Sequence, residues 1–133
     1  MTEEISASKA RWAKSELTRG DYARMRREAL VERLSKDAWD RAISEAAQAG
    51  TPEPRPLVLG YGRCSCCDRD LTCDLLEVDH VNGRNWELQH TSRWARVARY
   101  WREYESGVPM RVLCRSCNAR LGGGRRYARR RGR

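Results

Sequence analysis

The sequence of 133 residues contains no Phe, only two His and no apolar run long enough to cross a bilayer. The segment from Met1 to Ala10 is polar and acidic, and it lacks the apolar centre of a secretory signal peptide. We therefore expect a cytoplasmic protein that does not enter the membrane. Because 34% of the residues are charged, the core should be thin, and a small domain of this kind needs a further source of stability.

Six cysteines offer that source of stability. Four of them form two Cys-x-x-Cys pairs, the spacing typical of zinc knuckles, and four thiolates make a tetrahedral zinc site. The disulfides of a secreted protein are the alternative, but the polar N-terminal segment favours metal. Cys66 is an alternative ligand to Cys67, and Cys73 is a spare thiol. The preferred ligands of a structural Zn²⁺ are Cys64, Cys67, Cys114 and Cys117.

The net charge of +9 is distributed unevenly along the chain. Residues 1–56 contain eleven Lys or Arg against ten Asp or Glu, whereas residues 57–133 contain sixteen against eight. Nearly all the cations are Arg, whose planar guanidinium binds phosphate through two parallel N–H groups. The basic excess around the cysteines and the C-terminal tail predicts a polyanionic partner.

Apolar periodicity and turn residues predict four regions. These are a helical N-terminal region at 1–50, a Pro-rich linker at 51–56, a core at 57–124 and an Arg-rich, flexible tail at 125–133. Helices are predicted at 8–17 and 21–49. Thr18 and Asp21 resemble a capping box at the start of the second helix, and Gly50 is a natural stop. A break near Ser35 is an alternative.

Short strands and helices alternate in the core region, so the predicted fold class is α+β. Strands are predicted at 57–59, 75–80 and 108–113, with a helix at 91–106 and a short helix after the second cysteine pair. Trp94 and Trp101 share one face of the longer helix. We expect them to pack in the core, and stacking on nucleic-acid bases is the alternative.

Asp79 and His80 lie between the two cysteine pairs, and Asn118 directly follows the last cysteine. Oxygen ligands such as Asp and Asn suit a hard divalent cation, and His suits general-base catalysis near neutral pH. Neighbouring side chains in a regular strand point to opposite faces. Asp79 and His80 can therefore serve one site only if the strand breaks there, and Asn82-Gly83 is a break signal.

The order of these motifs resembles the HNH nucleases of ββα-metal type, and especially the recombination endonuclease VII branch found in bacteriophages. The first cysteine pair, Leu-Glu-Val-Asp-His at 76–80 and Leu-Cys-Arg-Ser-Cys-Asn-Ala-Arg-Leu-Gly at 113–122 carry the resemblance. It covers under half of the chain. Neither the N-terminal helices nor the extra residues at about 87–106 have a counterpart in it.

The resemblance implies a ββα-metal core stapled by zinc, with an active site formed by His80, Asp79 and Asn118. Asn118 stands in place of the last His of the motif. The middle Asn has no match directly before the second cysteine pair. Asn82 or Asn85 could brace the loop instead.

A metal-dependent DNA endonuclease is the activity that the resemblance implies. His80 would be the general base, and Asp79 and Asn118 would hold one Mg²⁺ or Mn²⁺ ion. The products would carry 5′-phosphate and 3′-hydroxyl groups, and the location would be a bacterial host. A non-catalytic zinc-stabilised DNA-binding or regulatory protein is the alternative, and an RNA-directed nuclease is a third possibility. Asn118 favours the nuclease, because a zinc knuckle needs no Asn beside its last cysteine.

Arginines near the site and in the tail are the predicted DNA contacts. Four more, at positions 93, 96, 99 and 102, either face phosphates or form a solvated helix face. The N-terminal helices either pack on the core or form a homodimer. The predicted DNA-binding residues are Arg84, Arg111, Arg125, Arg126, Arg129 and Arg130.

Overall fold

A computed structural model describes residues 18–86 and 91–121. The elements in chain order are α1 (Arg19–Ala49), β1 (Tyr61–Arg63), β2 (Asp70–Thr72), a 3₁₀ turn (Cys73–Leu75), β3 (Leu76–His80), α2 (Arg93–Glu105), β4 (Met110–Cys114) and α3 (Arg115–Arg120). The predicted α+β class is confirmed. The predicted helix at 8–17 and the tail at 125–133 lie outside the described residues. No helix in the described part of the chain is long and apolar enough to span a membrane.

The helix α1 begins and ends where its capping residues predict. Thr18 and Asp21 form the capping box, in which each side chain accepts a hydrogen bond from the other's backbone N–H. Gly50 ends the helix with a left-handed φ of 70°. The alternative of a break near Ser35 is wrong. The hydroxyl of Ser35 is buried and accepts the backbone N–H of Arg63 at 3.1 Å, so it serves a tertiary contact instead of a helix cap.

Two antiparallel pairs of strands, β1 with β2 and β3 with β4, pack against α1. In the second pair Leu76 lies opposite Cys114 and His80 lies opposite Met110, so the ladder stays in register through His80. The helix α2 lies within the connection between β3 and β4 and also packs on α1. The predicted β3, α2 and β4 agree with the observed elements to within two residues at each end.

The predicted strand at 57–59 is wrong. The strand in this region begins at Tyr61, which pairs with Thr72 at the end of the β1–β2 ladder. Val58, Leu59 and Gly60 instead form a turn, in which the Tyr61 N–H donates to the Val58 carbonyl at 3.0 Å. An apolar run without a neighbouring strand has no ladder to join, and Leu59 is accordingly 92% exposed.

The core lies between α1 and the two strand pairs. Gly62 allows their close approach, since a Cβ there would lie 2.8 Å from both Leu76 Cδ1 and Ser35 Oγ. Met25 on α1 lies outside this core and is 52% exposed. Trp101 packs partly buried against the core, whereas Trp94 is more exposed and stacks on Tyr22. The most buried core side chains are Leu30, Val31, Leu76, Val112 and Leu113.

An ionic network holds the Pro-rich linker against the first strand pair. The carboxylate of Asp70 accepts from Arg63 Nε at 2.7 Å and from Arg55 Nε at 3.0 Å. The carbonyl of Arg55 in turn accepts from Arg63 Nη1 at 2.7 Å and from the Trp39 indole at 3.1 Å. The linker is therefore fixed to both β1 and α1.

Candidate metal centre and adjoining site

Four cysteines from two separate parts of the chain come together at one point. Each Cys-x-x-Cys pair begins at the end of a strand, and the Cys67 and Cys117 amides donate to the sulfurs of Cys64 and Cys114. All four Sγ atoms lie within 4.8 Å of one another. A tetrahedral zinc site with Zn–S bonds of about 2.3 Å has sulfurs about 3.8 Å apart, and Cys67 and Cys114 are 3.9 Å apart. These four residues could hold a metal ion such as zinc.

Two arginines place positive charge against the sulfur cluster. Arg69 donates to Cys67 at 3.4 Å and to Cys114 at 3.3 Å, and Arg120 donates to Cys117 at 3.1 Å. The Arg69 guanidinium lowers the pKa of the Cys67 thiol. The Cys117 amide, together with Arg69, lowers the pKa of the Cys114 thiol to about 6. Because four thiolates around Zn²⁺ would carry a net negative charge, the two adjacent guanidinium groups would stabilise a zinc-bound form.

The remaining two cysteines stand apart from this cluster. Cys66, the alternative ligand, is exposed and lies outside the group of four. Cys73 is buried below the first strand pair, and burial raises the pKa of its thiol to about 11. None of the six cysteines is in a disulfide. The cluster thus contains Cys67, the preferred ligand, and not Cys66.

Asn118 projects from α3 towards β3. Its Nδ2 donates to Glu77 Oε1 at 2.6 Å, while its Oδ1 is buried and has no hydrogen-bond partner. The other carboxylate oxygen of Glu77 lies 3.6 Å from Arg115 Nε. Glu77 was not singled out from the sequence, although it lies two residues before Asp79 and therefore on the same face of β3.

Asp79 and His80 lie on opposite faces of β3, because the β3–β4 ladder runs in register through both. The expected break at Asn82-Gly83 comes after the strand has ended, too late to turn both side chains to one side. Asp79 is buried and accepts from Arg111 Nε at 2.8 Å, across the ladder. Asp79 thus accepts a hydrogen bond from Arg111, whereas Asn118 donates one to Glu77.

His80 is only 4% exposed and is enclosed by side chains from α2 and the loop after β3. Its Nε2 lies 2.8 Å from Glu103 Oε1, and the indole of Trp86 donates to the other oxygen of Glu103 at 3.2 Å. The rings of Tyr100 and Trp86 pack against the imidazole, with centroids 5.5 and 6.3 Å away. No sequence signal marks Glu103, since it meets His80 only through tertiary packing.

The predicted DNA-binding arginines are in different surroundings. Arg111 is engaged by Asp79, and Arg84 lines a cavity next to Asn118 and lies over the Trp86 ring. Arg99 also stacks on Trp86, at 4.7 Å from the ring centroid. The predicted tail contacts Arg125, Arg126, Arg129 and Arg130 lie outside the described residues.

Comparisons of the chain with protein-family models, with curated proteins and with solved structures give no match. The chemistry of the site therefore rests on its own residues.

Proposed function

We propose that this chain is a metal-dependent DNA endonuclease of HNH type, in which zinc bound by four cysteines braces the site. The observation that carries the proposal is the position of Asn118. It directly follows the last cysteine of the metal centre and presents a buried carbonyl oxygen without a hydrogen-bond partner beside the Glu77 carboxylate. A buried acceptor without a partner is costly in a protein interior, so a ligand that binds this oxygen is favoured.

A hard divalent cation fits these donors. Mg²⁺ and Mn²⁺ prefer carboxylate and carbonyl oxygens and keep several waters, so few protein ligands suffice. Asn118 and Asp79 are the proposed ligands, and Glu77 adds a second carboxylate on the same face of β3. When bound, the cation would neutralise charge on a scissile phosphate and stabilise the leaving oxygen.

The contacts of His80 suit a general base whose orientation is fixed. A carboxylate only accepts hydrogen bonds, so the Nε2 that faces Glu103 carries the hydrogen. In the neutral ring this leaves Nδ1 as the proton acceptor. Because His80 is buried and lies on the opposite face of β3 from Asp79, binding of DNA would have to open the end of β3 before Nδ1 could remove the proton of the attacking water. Glu103 would hold the ring in this tautomer. The products would carry 5′-phosphate and 3′-hydroxyl groups.

A non-catalytic zinc-stabilised DNA-binding or regulatory protein is the second candidate. It is favoured by the burial of His80 and by the pairing of Asp79 with Arg111, since both groups are occupied within the chain. In that case the two side chains would only hold the β3–β4 hairpin against its neighbours.

Cleavage of supercoiled plasmid separates the two candidates. We expect nicked or linear product with Mg²⁺, none with EDTA, and a loss of at least about 100-fold in rate for His80→Ala, the usual range for a general base. Glu103→Gln should also slow cleavage, whereas Glu105→Gln, two residues further along α2, should not. Each variant is checked for zinc content and for DNA binding in EDTA. Undiminished cutting by folded His80→Ala protein would refute the catalytic role and favour the second candidate.

A further inference from the structure

An arginine-lined cleft lies between α1, α2, β3 and α3. Two adjoining cavities of about 520 and 370 Å³ form it, and they share Arg27, Glu77, Tyr100 and Arg115 in their walls. Asn118 lines the smaller cavity. The acidic side chains in these walls are Asp74 and Glu77. The arginines that line this arginine cleft are Arg24, Arg27, Arg84, Arg93, Arg96 and Arg115.

Part of this positive charge is not neutralised by carboxylates, although Arg24 pairs with Asp21 at 3.0 Å and Arg115 lies 3.6 Å from Glu77. Arg27 donates to the backbone carbonyls of Leu76 at 2.6 Å and Asp74 at 3.5 Å, which fixes its guanidinium without cancelling its charge. Arg93 and Arg96 have no carboxylate within 4.0 Å among the residues that the structure describes, and Arg96 Nε is buried without a hydrogen-bond partner. Guanidinium groups held close together in this way repel one another unless an anion lies between them.

The beginning of α2 adds to the positive potential. Ser92 caps this helix of 13 residues, and Arg93 is its first residue, so its positive dipole end lies at the arginine cleft. The charge is also spread over three helices, α1, α2 and α3. An extended chain of phosphates matches this distribution better than a single small anion, because each guanidinium can bind a different phosphate.

We propose that the arginine cleft binds the phosphate backbone of a nucleic acid and leads it to Asn118. The identity of this polymer as DNA rests on the proposed function, but the binding of phosphates does not. Four of the six cleft arginines lie in α1 and α2, so these helices supply the binding surface for the site at β3 and α3. The inference concerns mainly Arg27, Arg93 and Arg96, since Arg24 pairs with Asp21, and it is independent of the tail.

Binding of a fluorescently labelled DNA duplex in EDTA tests this proposal, because cleavage is then blocked. Affinity is measured over a salt series for the full-length protein, for Arg93→Gln/Arg96→Gln and for Arg102→Gln. Arg102 is a matched control on the same helix. It lies nine residues, or two and a half turns, from Arg93 and so on the opposite side of α2. Arg102 is exposed and does not line the cleft.

Each phosphate contact adds about 0.9 to the slope of log affinity against log salt, so the double variant should flatten the slope by about two units. Arg93→Gln alone should flatten it by about one unit, and Arg102→Gln should leave it unchanged. Zinc content and the unfolding midpoint confirm that each variant is folded. A wild-type slope for both cleft variants, or an equal effect of Arg102→Gln, would overturn the proposal.

Plasmid cleavage by the wild-type protein distinguishes failure of this inference from failure of the proposed function. If the wild-type protein binds DNA through the cleft but does not cleave plasmid, the phosphate-binding surface is supported and the nuclease activity is refuted. Cleavage by wild-type protein together with unchanged slopes for the cleft variants would support the nuclease and refute the cleft.

Discussion

Replacing Cys114 by serine should cost this protein much of its stability and not only its chemistry. Cys114 is buried where β4 meets α3, and its sulfur lies 3.9 Å from that of Cys67, which is 47 positions earlier in the chain. A metal ion bound by both cysteine pairs would close this long loop. The serine hydroxyl is not a soft thiolate, so the ion would be held weakly or lost.

The length of the loop sets the size of the effect. In the chain-entropy model, a cross-link across 47 positions contributes about 4 kcal/mol to the free energy of unfolding. Domains unfold with a total of about 5 to 15 kcal/mol, so this contribution is a large fraction. At roughly 4 °C per kcal/mol, the unfolding midpoint should fall by about 15 °C.

Thermal unfolding followed by circular dichroism, together with zinc content by mass spectrometry, measures this effect. Cys66→Ser is the matched control, because Cys66 is exposed, close in sequence to Cys64 and Cys67, and outside the cluster. It should keep both the zinc and the wild-type midpoint. A Cys114→Ser protein that unfolds at the wild-type temperature, or a folded wild-type protein that contains no metal, would refute the reasoning.

The Pro-rich linker and the tail give two further predictions. Arg63 and then Arg55 lower the pKa of the Asp70 carboxyl from 3.8 to about 2, so Asp70→Asn should lower the free energy of unfolding at pH 7 by about 1 to 2 kcal/mol. A carboxyl whose pKa is lower in the folded state stabilises the fold at pH values above its unfolded-state pKa. The difference in unfolding free energy between wild type and Asp70→Asn, measured by urea unfolding, should therefore disappear as the pH falls from about 4 to about 2. A constant difference would contradict the ionic origin. Deleting residues 125–133 removes six Arg and should flatten the salt slope of DNA affinity by roughly two to four units. Cleavage at low salt should survive the deletion, and an unchanged slope would leave the tail without a DNA role.

Local signals in the sequence were sufficient for the ends of α1 and for the cysteine centre. The capping residues Thr18 and Asp21 and the stop at Gly50 act within a few residues, so their effect is visible without the fold. Two Cys-x-x-Cys pairs indicate a shared site whatever lies between them, and the four sulfurs do meet. The strand predicted at 57–59 is wrong because a strand forms only beside a partner strand. The local sequence pattern does not show whether such a partner is present.

The surroundings of the adjoining site could not be predicted, because they arise from contacts between distant residues. Glu103 reaches His80 over 23 positions, and Arg27 reaches the Leu76 carbonyl over 49. Nothing near either residue in the sequence marks such a contact. Position along β3 was also decisive. Glu77 and Asp79 share one face of the strand, but Glu77, opposite Leu113 and therefore closer to α3, is the residue that contacts Asn118.

The two halves of the metal centre are separated in time as well as in sequence. With 47 positions between Cys67 and Cys114, synthesis at about 5 to 20 residues per second brings the second cysteine pair out of the ribosome roughly 2 to 10 s after the first. During that interval only the first cysteine pair of the cluster is present, and β4 and α3 do not yet exist. Those two thiols have to stay reduced until their partners arrive. If the four cysteines bind zinc as proposed, the yield of folded protein in a cell should depend on thiol redox state and free zinc during translation.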